Sequence, residues 1–168
     1  MRLVVFGNSG SGKSTFAARL AREVRLAHLD LDVLAWDPGV RPPRRRDLDA
    51  SARDIAAFTD AHDAWVIEGC YADLVARAVP RCTRLLFLDP GTDACVANAR
   101  LRPWEPHKYG TKEEQDAGLD FLIGWIREYE TRPETDVFSR AAHRALFDGF
   151  PGEKVLLASR EAVAAYRP

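Results

Sequence analysis

The sequence predicts an α/β fold, a three-layer α/β/α sandwich on a five-stranded parallel sheet. Three observations predict it. Short apolar runs such as VVF, WVI and LLFL are nearly continuous rather than alternating, as strands covered on both faces are. Helical stretches separate these runs, giving the order βαβαβα of a doubly wound sheet. The first run leads into a glycine-rich turn, GNSGSGKST at 7–15, and then a helix, so a ligand is expected at the carboxyl ends of the strands. With 168 residues and 46% hydrophobic content, a single domain over 1–168 can bury a core of its own.

Each element has its own signal. MRLVVF supplies the first strand, Leu3–Phe6, and the helix over 13–24 carries Phe16, Ala17, Leu20 and Val24 on one face. A short strand, Ala27–Asp30, precedes a Pro- and Arg-rich loop, WDPGVRPPRRR at 36–46. A helix over 47–61 leads to the strand Trp65–Glu68, a helix over 72–79 to the strand Arg84–Leu88, and a helix over 92–101 follows. The loop RPWEPHKYGTK at 102–112 opens onto the longest helical pattern, 113–131, with Leu119, Leu122, Ile123, Ile126 and Tyr129 at core-facing spacing and Phe121 and Trp125 on another side. Helices over 139–147 and 160–166 flank the last strand, Lys154–Ala158. Long loops in a compact domain often act as lids or binding loops.

Residues 7–15 match G-x-x-x-x-G-K-[ST] in full, between a strand and a helix as that phosphate-binding loop requires. Backbone N–H groups of Gly7, Asn8, Ser9, Gly10, Ser11, Gly12, Lys13, Ser14 and Thr15 can cradle phosphate oxygens, aided by the positive end of the helix dipole. Lys13 can reach the β- and γ-phosphates and the Ser14 hydroxyl can ligate Mg²⁺. The chain is therefore expected to bind ATP with Mg²⁺. Asp30 and Asp32, two apart at the end of the second strand, are expected to point to the same side, toward those phosphates. The competing reading makes Asp32 a cap or turn residue and Asp30 a surface charge.

A net charge of −1 argues against general binding to nucleic acid or a membrane surface. Most basic residues are Arg, which together with the abundant Ala reads as codon bias, so the run RPPRRR at 41–46 is expected to be solvated. Cys70, Cys82 and Cys95 are odd in number, follow no metal-ligand spacing, and suggest reduced thiols in the cytoplasm. No secretory leader or membrane span is expected, nor an internal repeat.

Taken together, GNSGSGKST, HLDLD at 28–32, WVIEGCY at 65–71, RLLFLD at 84–89, RLRPW at 100–104 and FLIGWIREYETR at 121–132 resemble the P-loop nucleotide and small-molecule kinases. They are most similar to bacterial adenylate-kinase-like, or DNA topology modulation, proteins, in which W-V-I-D-G-N-Y is common where this chain has Glu68 and Cys70. The resemblance implies a P-loop NTPase fold of the nucleoside monophosphate kinase type, with a lid at about 100–112. It implies catalytic roles for Lys13, Asp32, Arg100 and Arg127, and Mg²⁺ at Ser14 and Asp30. It also implies that Glu68 contacts the acceptor or holds a lid arginine, that Arg102 and Arg132 are second-choice arginines, and that Ser159 and Arg160 border the adenine. His107, Lys108 and Tyr109 fall at the lid tip, and Asp89 reads as a turn-former and cap. The expected activity is transfer of the γ-phosphoryl group of ATP to a small hydroxyl- or phosphate-bearing acceptor. The alternatives are a slow nucleotide-dependent regulator acting on DNA or a protein, and a kinase for polynucleotide ends.

Overall fold

The computed structural model describes residues 1–40, 42–105 and 110–168. Five parallel strands run in the order β2-β3-β1-β4-β5: β1 Arg2–Gly7, β2 Ala27–Asp30, β3 Trp65–Gly69, β4 Arg84–Leu88 and β5 Glu153–Leu157. The expected sheet is present, each strand within a residue of its predicted limits.

The strand β1 is central, which is why its apolar run is unbroken. Leu3 and Val5 face one layer with Phe16, Ala17 and Leu20 of α1 (Lys13–Val24); Val4 and Phe6 face the other. That second layer holds Ile55 of α3 (Leu48–Ala61), Leu74 and Val75 of α4 (Ala72–Ala78), and Phe147 of α8 (Arg140–Gly149). Phe6 stacks on Phe87 of β4 at 4.9 Å between ring centres. Asp47, Ser139 and Ser159 cap α3, α8 and α9 (Arg160–Ala165), each side chain accepting from the backbone N–H three residues on.

Two differences from the sequence expectation bear on the site. A one-turn helix, α2 (Asp32–Ala35), follows β2 directly, with Leu31 wholly buried at the bend. The expected single helix over 113–131 is instead α6 (Lys112–Ala117) and α7 (Leu119–Arg127), followed by a 3₁₀ turn at Glu128–Glu130. The break falls at Gly118, a weak helix former. Just before it, Gln115 turns inward, donating to the carbonyl of Pro103 at 3.1 Å and accepting from the N–H of Glu105 at 2.9 Å. The buried amide thereby ties the segment entering the second long loop to α6. The predicted stripe survives the break: Ile123 and Ile126 pack with Cys95, Val96 and Ala99 of α5 (Thr92–Arg100).

Candidate active site

The loop at 7–15 is fixed by close backbone packing and by two amides. A Cβ on Gly7 would fall 2.1 Å from the Leu88 carbonyl oxygen, and one on Gly10, at φ +76°, 2.4 Å from that of Cys95, so neither position tolerates a side chain. Asn8 donates to the Ile126 carbonyl of α7 at 3.1 Å, and Asn98 of α5 donates to that of Gly10 at 2.8 Å. Lys13 opens α1, and its buried Nζ donates to the Asn8 carbonyl at 2.9 Å. The first turn of α1 has no acidic residue and no side-chain cap, so its N–H groups suit an anion.

Beside the loop stand three carboxylates, Asp30, Asp32 and Glu68, which with residues 9–16 line a cleft of about 1750 Å³. Single-ligand sites are roughly 300–1000 Å³, so this one has room for a triphosphate and a second molecule. Glu68 is level with Asp30 in the β2–β3 pairing and 1% exposed. The Ser14 hydroxyl lies close to it, and its Oε1 has no hydrogen-bond partner among the described residues. Burial, then the nearby Asp30 charge, push its carboxyl up to about 7, against the opposing pull of Lys13 and Ser14. A buried carboxylate oxygen left orphaned beside the loop's serine fits a divalent cation. No three His, Cys, Asp or Glu among the described residues form a ready metal cage, so Mg²⁺ here would rely on Ser14, these carboxylates, water and phosphate oxygens.

Asp30 and Asp32 do both face the cleft, but not through strand alternation. The strand ends at Asp30, whose Oδ1 accepts from the Asp32 N–H at 2.9 Å, and Asp32 is the first residue of α2. The capping interaction therefore coexists with a place in the cleft. Asp32 Oδ1 accepts from the Tyr71 hydroxyl at 2.7 Å, and that hydroxyl accepts from Trp36 Nε1 at 2.9 Å. Burial drives the Tyr71 hydroxyl far above its ordinary pKa, keeping it a donor. A second buried pair supports the Cys70–Tyr71 turn from behind. His143 donates from Nε2 to the Cys70 carbonyl at 3.1 Å and accepts at Nδ1 from the Tyr129 hydroxyl at 2.7 Å, the tautomer following from these partners. Burial, then the Lys13 charge, lower its pKa to about 3.

The predicted arginines separate. Arg100 and Arg127 are exposed and lie outside the cleft lining, whereas Arg102 lies within it, paired with Glu105 at 3.1 Å. Arg132 lies over the Trp125 ring at 3.6 Å, with Glu128 and Asp136 at its guanidinium. His107, Lys108 and Tyr109 lie outside the described residues, as does Arg41. The rest of the RPPRRR run is ion-paired: Arg44 with Asp37, Arg45 with Asp73 and Arg46 with Asp54. Asp89 does not cap; it takes two hydrogen bonds from Arg140, joining β4 to α8. Gly69 lines the cleft, and a Cβ there would meet the Leu31 side chain at 2.9 Å. Arg160, Val163 and Ala164 of α9 line the cleft, while Ser159 caps that helix. The pKa values of Cys70, Cys82 and Cys95 all rise to about 11 through burial, so the thiols are poor nucleophiles. Sequence reasoning missed the burial of Glu68 beside the loop, the Tyr71–Trp36 support of Asp32, and both loop-pinning asparagines. The pairing of a strand-end acid with the motif serine was the one available signal.

The sheet order, with a glycine-rich loop between β1 and α1, is a fold shared with solved kinase structures. A sugar kinase from Janibacter sp. HTCC2649 superposes with a TM-score of 0.53 at 16% identity, covering 96% of this chain and 89% of that one. Shikimate kinase from Bacteroides thetaiotaomicron gives 0.52 at 16% identity, covering 98% and 93%. No protein-family model matches the chain, and no curated protein matches its sequence.

Proposed function

We propose that the protein is an ATP- and Mg²⁺-dependent kinase that phosphorylates the hydroxyl of a small acceptor, acting as one domain. The observation that carries this reading is the buried Glu68, with an unpartnered Oε1, beside Ser14 in a cleft that also holds Lys13, Asp30 and Asp32. Among the solved structures of this fold are proteins titled sugar kinase and shikimate kinase, which supports phosphoryl transfer as the general chemistry. Bound Mg²⁺ would neutralise phosphate charge, and Ser14, Asp30 and Glu68 are the side chains placed to hold it. Loop N–H groups and Lys13 fix the triphosphate and balance charge on its oxygens. Asp32, oriented by Tyr71, accepts the hydrogen bond and then the proton of the attacking hydroxyl. Arg102 is the lid-side arginine already in the cleft; Arg100 and Arg127, exposed on helices that already touch the loop, would act as catalytic groups only by turning their side chains toward it. Residues 100–112 act as the lid in this reading. No helix among the described residues is long and apolar enough to cross a membrane, and a cytoplasmic setting suits both ATP use and three free thiols.

The test is ADP release from Mg·ATP across a panel of hydroxyl compounds. Acceptor-stimulated release, with the phosphate recovered on the acceptor, is the expected result. Release stimulated only by DNA, with steep salt dependence, would replace this reading with the regulatory one.

A further inference from the structure

Beyond Asp32 the cleft wall is aromatic. Five rings that line it touch in series: Trp36 and Tyr71 at 6.2 Å, Tyr71 and Phe138 at 5.4 Å, Phe138 and Trp125 at 5.0 Å, Trp125 and Phe121 at 6.3 Å. They come from four separate stretches of chain, so no single helix face accounts for the row. Phe121 is 77% exposed, so its ring face is open at the end of the row. At the Asp32 end of the row the polar groups are already used, Trp36 donating to Tyr71 and Tyr71 to Asp32. What the row otherwise presents to the cleft is mostly ring surface.

Charge is offset along this wall. Arg45 lies over the Trp36, Tyr71 and Phe138 rings but pairs with Asp73; Arg132 lies over Trp125 and pairs with Glu128 and Asp136. Neither lines the cleft. Among the described residues the cations that do are Lys13, Arg19, Arg102 and Arg160, on the loop, α1, the lid segment and α9. Among the described residues of this wall, an acceptor carboxylate or phosphate would meet rings and Asp32.

We propose that the acceptor is an uncharged compound with a planar aromatic ring and an alcohol hydroxyl, the chemistry shared by nucleosides and aromatic alcohols. The proposal rests on the kinase reading above. The ring stacks on the Trp36–Phe121 row, and because Tyr71 joins that row to Asp32, the hydroxyl is delivered to the carboxylate. The hydroxyl oxygen forms a bond to the γ-phosphorus while the bond from that phosphorus to the β,γ-bridging oxygen breaks. ADP leaves with the electron pair, and the hydroxyl proton passes to Asp32 and then to solvent.

Calorimetric titration of the full chain with adenosine, cytidine, thymidine and benzyl alcohol, with and without Mg·ATP, tests binding. ADP release with the same compounds, and with gluconate, glucose 6-phosphate and AMP, tests turnover. At least one ring compound should raise ADP release about tenfold and carry the phosphate afterwards; the nucleoside and benzyl alcohol arms separate the two sources. Phe121→Ala, at an exposed position, should raise its half-saturation about tenfold, as should Trp125→Leu, with the Kd for Mg·ATP unchanged within twofold. Absence of ring binding under both conditions overturns the proposal. So does stimulation confined to gluconate, glucose 6-phosphate or AMP, or unchanged ring half-saturation in both variants. Failure to bind Mg·ATP sinks the kinase reading instead, a separate result because ring binding is measured without nucleotide.

Discussion

The phosphate half of the cleft and the acceptor half are built on different principles. The loop at 7–15 is a backbone device: its useful groups are N–H donors, its shape is enforced by contacts that forbid a Cβ at Gly7 and Gly10, and its Asn8 and the Asn98 of α5 tie it to two helices. The acceptor half is a side-chain device, in which Asp32, Tyr71, Trp36, Phe138 and Trp125 take their places only through one another. A backbone device is specified by a short local string and changes little between proteins of one fold. A side-chain device depends on rings brought together from distant stretches and can be re-cut for a new acceptor without disturbing the loop.

The largest expected effect falls in the phosphate half. Lys13→Ala should lower turnover by roughly 10²–10³-fold, since it removes a buried cation from the transferring phosphates, while the melting temperature stays near that of wild type. Near wild-type ATP turnover in a normally folded variant removes the nucleotide assignment. In the acceptor half, Asp32→Asn should cost about 10²-fold in acceptor-dependent turnover with little change in nucleotide affinity, because the amide cannot take the proton. Tyr71→Phe should cost about tenfold, lowering kcat more than it raises KM. If Tyr71→Phe has no effect, or mainly weakens acceptor binding, the hydrogen bond to Asp32 has no orienting role.

Glu68→Gln sits between the two halves. The variant should need about tenfold more Mg²⁺ for half-maximal rate, because a buried anion beside Ser14 is replaced by a neutral amide. The Asp30→Asn change should do the same to a smaller degree, Asp30 being partly committed to the Asp32 N–H. An Mg²⁺ dependence that moves in Asp30→Asn and not in Glu68→Gln would return the metal role to Asp30 alone.

That difference in construction also explains what was legible in the sequence. Strand order and the phosphate loop were, because buried parallel strands read as unbroken apolar runs and the loop's backbone geometry demands Gly at fixed spacing. The helix break at Gly118 was not, because it follows from Gln115 turning inward to Pro103 and Glu105, partners ten or more residues away. Asp30 and Asp32 were placed on the correct cleft by an argument from strand alternation that fails, since α2 begins at Asp32. The preference for Arg100 over Arg102 rested on the resemblance alone; the chain's path after α5 turns Arg102 to the cleft. The ring row was invisible because its members are spread from residue 36 to residue 138.

The smallest effect is one of stability, and it links the halves through His143. This residue is wholly buried between the Tyr129 hydroxyl and the Cys70 carbonyl, with Lys13 the charge that most disfavours its protonation, and its pKa lies near 3. In the unfolded chain it titrates near its ordinary value of about 6.5. Below that pH the unfolded chain takes up a proton that the folded chain refuses, so the contribution of His143 to stability, complete above about 6.5, is lost as pH falls toward 3. The slope is about 1.4 kcal/mol per pH unit. Glu68 acts in the opposite sense: with its folded pKa raised to about 7, it favours the folded state below the unfolded value, and that contribution is lost as pH rises through 7. Between about 4.5 and 6.5 the two slopes oppose each other, and wild-type stability should be nearly flat. The Glu68→Gln variant removes the opposing term, so its urea midpoint should fall steadily from pH 6.5 to pH 5. Adding His143→Gln should flatten the curve again at lower overall stability, the glutamine losing some ring packing against Phe6 and Phe87. A Glu68→Gln midpoint that does not move with pH over this window would show that His143 is protonated in the folded chain, and that the Cys70–Tyr71 turn is held by something other than a neutral imidazole.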